Sequence, residues 1–419
     1  MKMKASTILY VILLVVWNLL AYACLVHFSF ERWPLCWDFI HYYQCGAMAL
    51  SPDRFHVYDP QVQLAWTNKI ISPQHVTELW FIQFVPFVFP LMVPFALMGL
   101  GTSYLVWCII SIAAGSYILF QTLTERKWPA PAIFAFLLAA TASFPAWFNV
   151  WWGQFAWFYL TLMGLYFLSL KRKKDVLAGI CLALLCIKPQ YIFPVAFPAL
   201  FLKRTKLIVT AVCTELLLLI LAAFSIGTDS VLNYHHTLLS AEKQAGQMQA
   251  NAGAMISLRG LFSTFLPSDV ALYASAFLYF AALVLLFFIW RKAAREADAP
   301  DSFNWPIALT IMTAILFSPH SMVYDCLIVF IAAALTLPGY QLSDAQKLVD
   351  TAGTKLASFA NKFWFYSLYF YPIISWLIFL PLSDNDTKPF AKVYALFDAL
   401  LLAAGIIRFF QQKKQVVEE

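Results

Sequence analysis

The sequence predicts an all-α, polytopic membrane protein of about twelve transmembrane helices plus one re-entrant segment. Three observations predict it. Of 419 residues, 62% are hydrophobic and 12% charged, against about 45–50% and about 25% in a soluble domain. Apolar runs recur along the whole chain, at about 7–26, 84–100, 103–121, 131–148, 153–170, 176–187, 190–202, 207–226, 270–290, 304–318, 322–338, 363–380 and 392–410. Lys and Arg gather between those runs, which orients a membrane protein and makes no nucleic-acid patch. With 39 Phe, 15 Trp and 19 Tyr, soluble, disordered and fibrous classes are excluded. Residues 1–419 read as a single integral membrane domain.

The run 7–26 follows Lys2 and Lys4 as a signal peptide would. It lacks a small-residue cleavage site before Phe28 and reads as a retained anchor. Basic clusters at Lys2/Lys4, Arg126/Lys127, Lys171 to Lys174, Lys203/Arg204/Lys206, Arg291/Lys292/Arg295, Lys347/Lys355/Lys362 and Arg408/Lys413/Lys414 all fit the cytoplasmic side. Both termini are then inside, and the run 84–100 must enter and leave on the outer side. Pro86, Pro90 and Pro94 disfavour a straight helix there, and irregular backbone at membrane depth is tolerated where protein shelters it. Several runs fall short of the roughly 17 residues of a minimal span and read as half-helices or sheltered helices. The runs 131–148 and 153–170 read as two short elements or one broken one.

The outer face receives a long first extracytoplasmic loop, 27–83, and a second, 227–268. It also receives the turns Trp151-Trp152-Gly153-Gln154, Lys188-Pro189-Gln190 and Ser318-Pro319-His320, and all seven His. The polar stretch 339–362 is a cytoplasmic amphipathic connector. The eight Cys show no metal-ligand spacing. Six are packing residues; Cys36 and Cys45 share the first outer loop, where a disulfide is the alternative to two free thiols.

Candidate chemistry therefore gathers on one side. In Cys36-Trp37-Asp38-Phe39-Ile40-His41-Tyr42-Tyr43, a helix would put Asp38, His41 and Tyr42 on one face. Apolar neighbours would raise the carboxyl pKa, as a general base needs; the plain alternative is a helix cap. Asp59 before Pro60 reads as a cap. Lys188, at a proline break between apolar runs, is either a snorkelling anchor or a cation facing an anionic ligand. Gln154 either caps a helix or binds a sugar hydroxyl. His320 is either a satisfied interface residue or a partner for phosphate. Arg259 in the second loop suits bidentate phosphate binding or helix-end anchoring. The sequence has no Gly-rich phosphate loop, HExxH or GxSxG, and no internal repeat of the kind transporters carry.

In order, Asp38-Phe39-Ile40-His41-Tyr42-Tyr43, Tyr58-Asp59, the Pro-rich run at 84–94, Gly153-Gln154, Lys188-Pro189 and Ser318-Pro319-His320 resemble the GT-C-fold membrane glycosyltransferases of glycosyltransferase family 87. That family includes polyprenyl-phosphate-mannose-dependent mannosyltransferases that build phosphatidylinositol mannosides. The likeness covers roughly residues 1–340; one proline, Pro86, stands where the family often has a pair. The resemblance implies an inverting transfer of a hexose, such as mannose, from a polyprenyl-phosphate donor to a glycolipid or glycan acceptor hydroxyl. It implies Asp38 as the catalytic base; Lys188, Arg259 and His320 are then the candidates to stabilise the leaving phosphate, and Gln154 and Tyr42 those to position sugars. No cofactor is expected, and no metal is required if these cations suffice, since one carboxylate alone makes a poor Mg²⁺ or Mn²⁺ site; the expected place is the bacterial inner membrane with the site extracytoplasmic. The main alternative is a transporter or flippase, which would need polar residues through the full membrane depth.

Overall fold

The computed structural model describes residues 5–31, 37–77, 82–243, 254–295, 300–338, 355–380 and 389–418, and among these the regular structure is entirely helical. Helix α1 (Ala5–Glu31) lies against α6 (Ala130–Ala142) and α7 (Phe144–Trp152). Asn18 Nδ2 donates to Leu138 O at 3.1 Å and Trp147 Nε1 to Ala21 O at 2.9 Å. The long segment after α1 is itself folded, into α2 (Trp37–Ala49), a 3-10 turn over Pro52–His56 and α3 (Pro60–Ile70). Asp59 caps α3, its Oδ1 accepting from the Gln61 and Val62 amides. Gln44 of α2 bonds Gln63 O and Thr67 Oγ1 of α3, so the two helices are tied by buried amides.

The proline-rich run forms α4 (Val88–Ala96), nine residues long and so about 13 Å, too short to span. It packs on α2, where a Cβ on Gly46 would come within 2.3 Å of Met92 O. Glycine there permits a near backbone-to-backbone contact. Then follow α5 (Leu100–Glu125), α6, α7, α8 (Ala156–Lys171), α9 (Asp175–Leu184), α10 (Ile192–Phe201) and α11 (Thr205–Ile226). The segment after α11 holds α12 (Thr228–Leu232), α13 (Tyr234–Lys243) and α14 (Leu258–Phe262). The chain continues through α15 (Ser268–Arg295), α16 (Asn304–Phe317), α17 (Val329–Thr336), α18 (Lys355–Tyr369), α19 (Tyr371–Phe379) and α20 (Pro389–Glu418).

Four helical stretches are long and apolar enough to cross a membrane among the described residues: α5, α11, α15 and Pro389–Phe410 of α20. Helices α6 and α7, bent by 53°, make a fifth if they form one broken span. The expected count of about twelve is not supported. The reason is visible in α16 and α17. The 14 residues of α16 rise about 21 Å, less than the roughly 30 Å of hydrocarbon, and almost every side chain of both helices is buried in protein. Hydropathy records that a run is apolar, not whether lipid or protein covers it. The connector read at 339–362 falls largely outside the described residues; its end, from Lys355, belongs to α18.

Two apolar clusters organise the packing. One joins α2, α3, α4, the start of α5, Phe155, Ile187 and the end of α11. The other, larger, joins α6 to α10 with α15 to α20. Asp38, Gln154 and Lys188 lie where the two meet.

Candidate functional site

Three side chains form one hydrogen-bonded set. Asp38 sits in the first turn of α2, and Tyr42 follows four residues later on the same face. Tyr42 OH donates to Gln154 Oε1 at 2.8 Å, and Gln154 Nε2 donates to Asp38 Oδ2. Gln154 reaches this point because α7 ends at Gly153, whose φ of 70° is left-handed, which favours glycine. The Gln154 amide then closes back on Asn149 O at 2.9 Å. Gln154 does not cap the following helix. Asn149 does, accepting from the Ala156 amide at 2.7 Å.

Burial pushes the Asp38 carboxyl up to about 6, against the lowering pull of the Gln154 amide and the Lys188 ammonium. His41, one turn from Asp38, is buried, and burial pushes its imidazole down to about 4. It is therefore held neutral at physiological pH.

Lys188 lies between two 3-10 turns, Leu185–Ile187 and Pro189–Tyr191, with φ −119° and ψ 82°. Pro189 disfavours helical backbone at the residue before it, so the chain breaks there and the side chain leaves the helix. Its ammonium pairs with Asp325 Oδ1; the two side chains are 14% and 2% exposed. The other Asp325 oxygen accepts from the Met322 amide at 3.0 Å. Lys188 Nζ also stands 5.0 Å from the Tyr324 ring and 5.9 Å from the Tyr191 ring. Lys188 is thus held in a cage of aromatic rings and a carboxylate, not stretched to the interface.

Arg259 and His320 come to the same region through the backbone. Tyr191 OH bonds Ser321 Oγ at 2.8 Å, and Ser321 O accepts the Ile256 amide at 2.9 Å. This links the Lys188 break, the turn after His320 and the segment leading to Arg259. Arg259 is buried in α14, and His320 is half-buried with its amide on Ser318 Oγ at 3.3 Å. Gln154 therefore joins Asp38 and Tyr42 in one hydrogen-bonded chain, Lys188 acts electrostatically on Asp38, and the segments that carry Arg259 and His320 are bonded to the one that carries Lys188. Cys36 lies outside the described residues; Cys45 is buried.

Asp325 and Tyr324 are absent from the sequence-derived candidates. The clue was present: Asp325 is the one acidic residue in the run 322–338, and an ionisable residue in an apolar run is a functional candidate by default. Among the described residues, no three His, Cys, Asp or Glu side chains gather as a metal site.

No curated protein matches the chain. The profile of glycosyltransferase family 87 matches residues 82–319, which is more than half of the 419. That span holds Gln154, Lys188 and Arg259, while Asp38 and Asp325 lie beyond its two ends and join the same set in space. On this match the chain belongs to glycosyltransferase family 87.

Proposed function

We propose that this glycosyltransferase moves a hexose, mannose in the first instance, from a polyprenyl-phosphate donor to an acceptor hydroxyl on the extracytoplasmic face. The observation that carries the reading is the meeting of a half-buried carboxylate, Asp38, with a caged ammonium, Lys188, between two apolar clusters. Ligand sites favour such seams. The acceptor O–H gives its proton to Asp38. The acceptor oxygen bonds the anomeric carbon from the opposite face as the bond from that carbon to the phosphate oxygen breaks. The electron pair leaves with the polyprenyl phosphate, and configuration inverts.

Gln154 and Tyr42 are positioning residues in this scheme. The amide holds Asp38 Oδ2, which turns Oδ1 to the acceptor, and the Tyr42 phenol fixes the amide. Lys188, with Arg259 and His320, stabilises charge growing on the leaving phosphate, since fixed cations in a water-poor site act strongly there. The scheme needs no cofactor and no metal ion. A transporter reading is weaker, because the family is one of transferases and the polar groups sit at one face.

Asp38→Asn in reconstituted protein should abolish transfer while donor binding persists; retained turnover removes Asp38 from the role. In the unaltered protein, kcat/KM should fall tenfold per pH unit below about 6, because the base must be ionised. His41, held at about 4, gives no limb there. A flat profile from about pH 5 to about pH 7 assigns the base elsewhere.

A further inference from the structure

We infer that the end of the molecule away from Asp38 binds the phosphate of an anionic membrane phospholipid, with Arg408, Asn361 and Lys292 as its donors. Arg408 lies in the last turn of the apolar stretch Pro389–Phe410 of α20 and is 7% exposed. An arginine near the end of a span ordinarily snorkels to water; this one is covered by protein. Its Nε is buried without a hydrogen-bond partner, and among the described residues no carboxylate pairs with it. Asn361 of α18 is wholly buried, and both of its amide atoms are unpartnered. Such groups are rare in folded proteins and call for a partner. Half-buried cations elsewhere have theirs. Arg126 donates to Ala334 O at 2.9 Å and to Leu337 O at 2.6 Å, and Lys171 donates to Asn304 Oδ1 at 2.8 Å.

The packing of α18 on α20 brings the two unpartnered side chains together. Tyr371, just past the end of α18, meets the Phe397 ring at 6.1 Å, and Trp364 lies on Gly405, where a Cβ would come within 2.5 Å of its ring. Going back from 371 to 364 on one strand of chain thus matches going forward from 397 to 405 on the other, so the helices run antiparallel. One more turn along the same faces sets Asn361 against Arg408. Lys292 of α15 adds a second cation, its Nζ 5.6 Å and 5.3 Å from the rings of Phe409 and Phe410. This is not the Lys188 region. Tyr279 of α15 donates to Gln190 O at 3.2 Å, and Lys292 lies 13 residues further along (292 − 279), about 20 Å away. A guanidinium grips a phosphate through two oxygens, and the amide adds a neutral donor. Beside the donors, Leu356 and Phe359 of α18 and Phe410 of α20 are exposed. A phospholipid whose headgroup reaches Arg408 lays its tails on them, whereas free phosphate leaves them uncovered. In the proposed orientation this end faces the cytoplasm, where anionic lipids meet basic pockets between helices.

Delipidated protein in a neutral detergent is titrated with phosphatidylglycerol, phosphatidylcholine or inorganic phosphate. Retained lipid is counted by native mass spectrometry, and the thermal midpoint is recorded. Phosphatidylglycerol should be retained and raise the midpoint; the other two, at equal concentration, should do neither. An equal shift with inorganic phosphate, or equal retention of phosphatidylcholine, overturns the assignment.

Arg408→Met should weaken phosphatidylglycerol binding about tenfold, the loss of one hydrogen bond to a charged group. It should also raise the midpoint of the lipid-free protein, because it removes a buried charge that has no partner. A midpoint that falls equally with and without the lipid makes Arg408 a packing residue and overturns the site. Asn361→Leu keeps the cation and should show a smaller loss of affinity with no fall in the lipid-free midpoint. Unchanged phosphatidylglycerol affinity in both variants overturns the site as well. No arm reads sugar transfer, so the outcome is separate from that of Asp38→Asn.

Discussion

Lys188 and Asp325 form a charge pair whose members are 14% and 2% exposed. Breaking such a pair costs about 3–5 kcal/mol, because one desolvated charge is left alone. Asp325→Asn should therefore lower unfolding free energy by about 3 kcal/mol, read as a fall in thermal midpoint in nanodiscs. Saturating polyprenyl phosphate should recover a larger share in this variant than in the parent, since the phosphate then supplies the missing negative charge. Lys188→Met with Asp325→Asn should cost less than the two single changes summed; strict additivity would mean that the residues do not act as a pair. Gln154 and Lys188 were legible in the sequence because each stands at a break, where a polar residue needs a reason, and Asp38 because a helix there sets it on one face with His41 and Tyr42. Asp325 was not, because its apolar neighbours made the whole run read as a span. Gln154 was legible as a candidate but not in its role: nothing in one sequence says that Asn149 takes over the capping bond and frees its amide for Asp38.

Helix endings set the geometry at the next scale. Helix α7 stops at Gly153 in the left-handed region, and that stop aims Gln154 at Asp38. Gly153→Ala should cost about 1 kcal/mol or slightly more, the usual penalty for a Cβ at positive φ. Its kcat should fall further than this loss of stability explains, since the displaced amide no longer holds the carboxylate. Equal kcat in a folded Gly153→Ala protein would show that the turn only ends the helix. Lys127, Lys173 and Lys203 also adopt positive φ, at 58°, 57° and 52°, just past the ends of α5, α8 and α10. Glycine would fit more easily. Lysine instead places a cation beside helix carbonyls, which the helix dipole favours. The sequence showed these lysines as basic clusters; their backbone conformation was beyond its reach, because charge patterning carries no φ.

Those three turns bear on the arrangement of the whole chain. Lys127 follows the end of α5, whose other end is at Leu100; Lys203 precedes α11, whose other end leads to Asp229. Single cysteines replacing Lys127, Lys173 and Lys203 should therefore react with an impermeant maleimide from one side of the membrane. Cysteines replacing Asp53 and Asp229 should react from the other. Mixed sidedness within either group would break the proposed orientation. The helical class was legible from composition alone, and the folded segment after α1 was legible in part, through Asp59. The number of spans was not. Helices such as α16 owe their apolar sequence to neighbours in the protein, and one chain's hydropathy cannot tell a protein neighbour from lipid.

The two apolar clusters have a mechanical consequence. Phe39 and Ile40, beside Asp38, are anchored in the smaller one, and Cys326 and Leu327, beside Asp325, in the larger. Asp38 and Asp325, the carboxylate that pairs with Lys188, thus ride on separate jaws, and Gln154 bridges them, followed by Phe155 in one and Ala156 in the other. Their clearance is set by how the jaws rest together, not by either jaw's own integrity. A small hydrophobic wedge lodged between them should silence the enzyme without competing with sugar or lipid and without melting the protein.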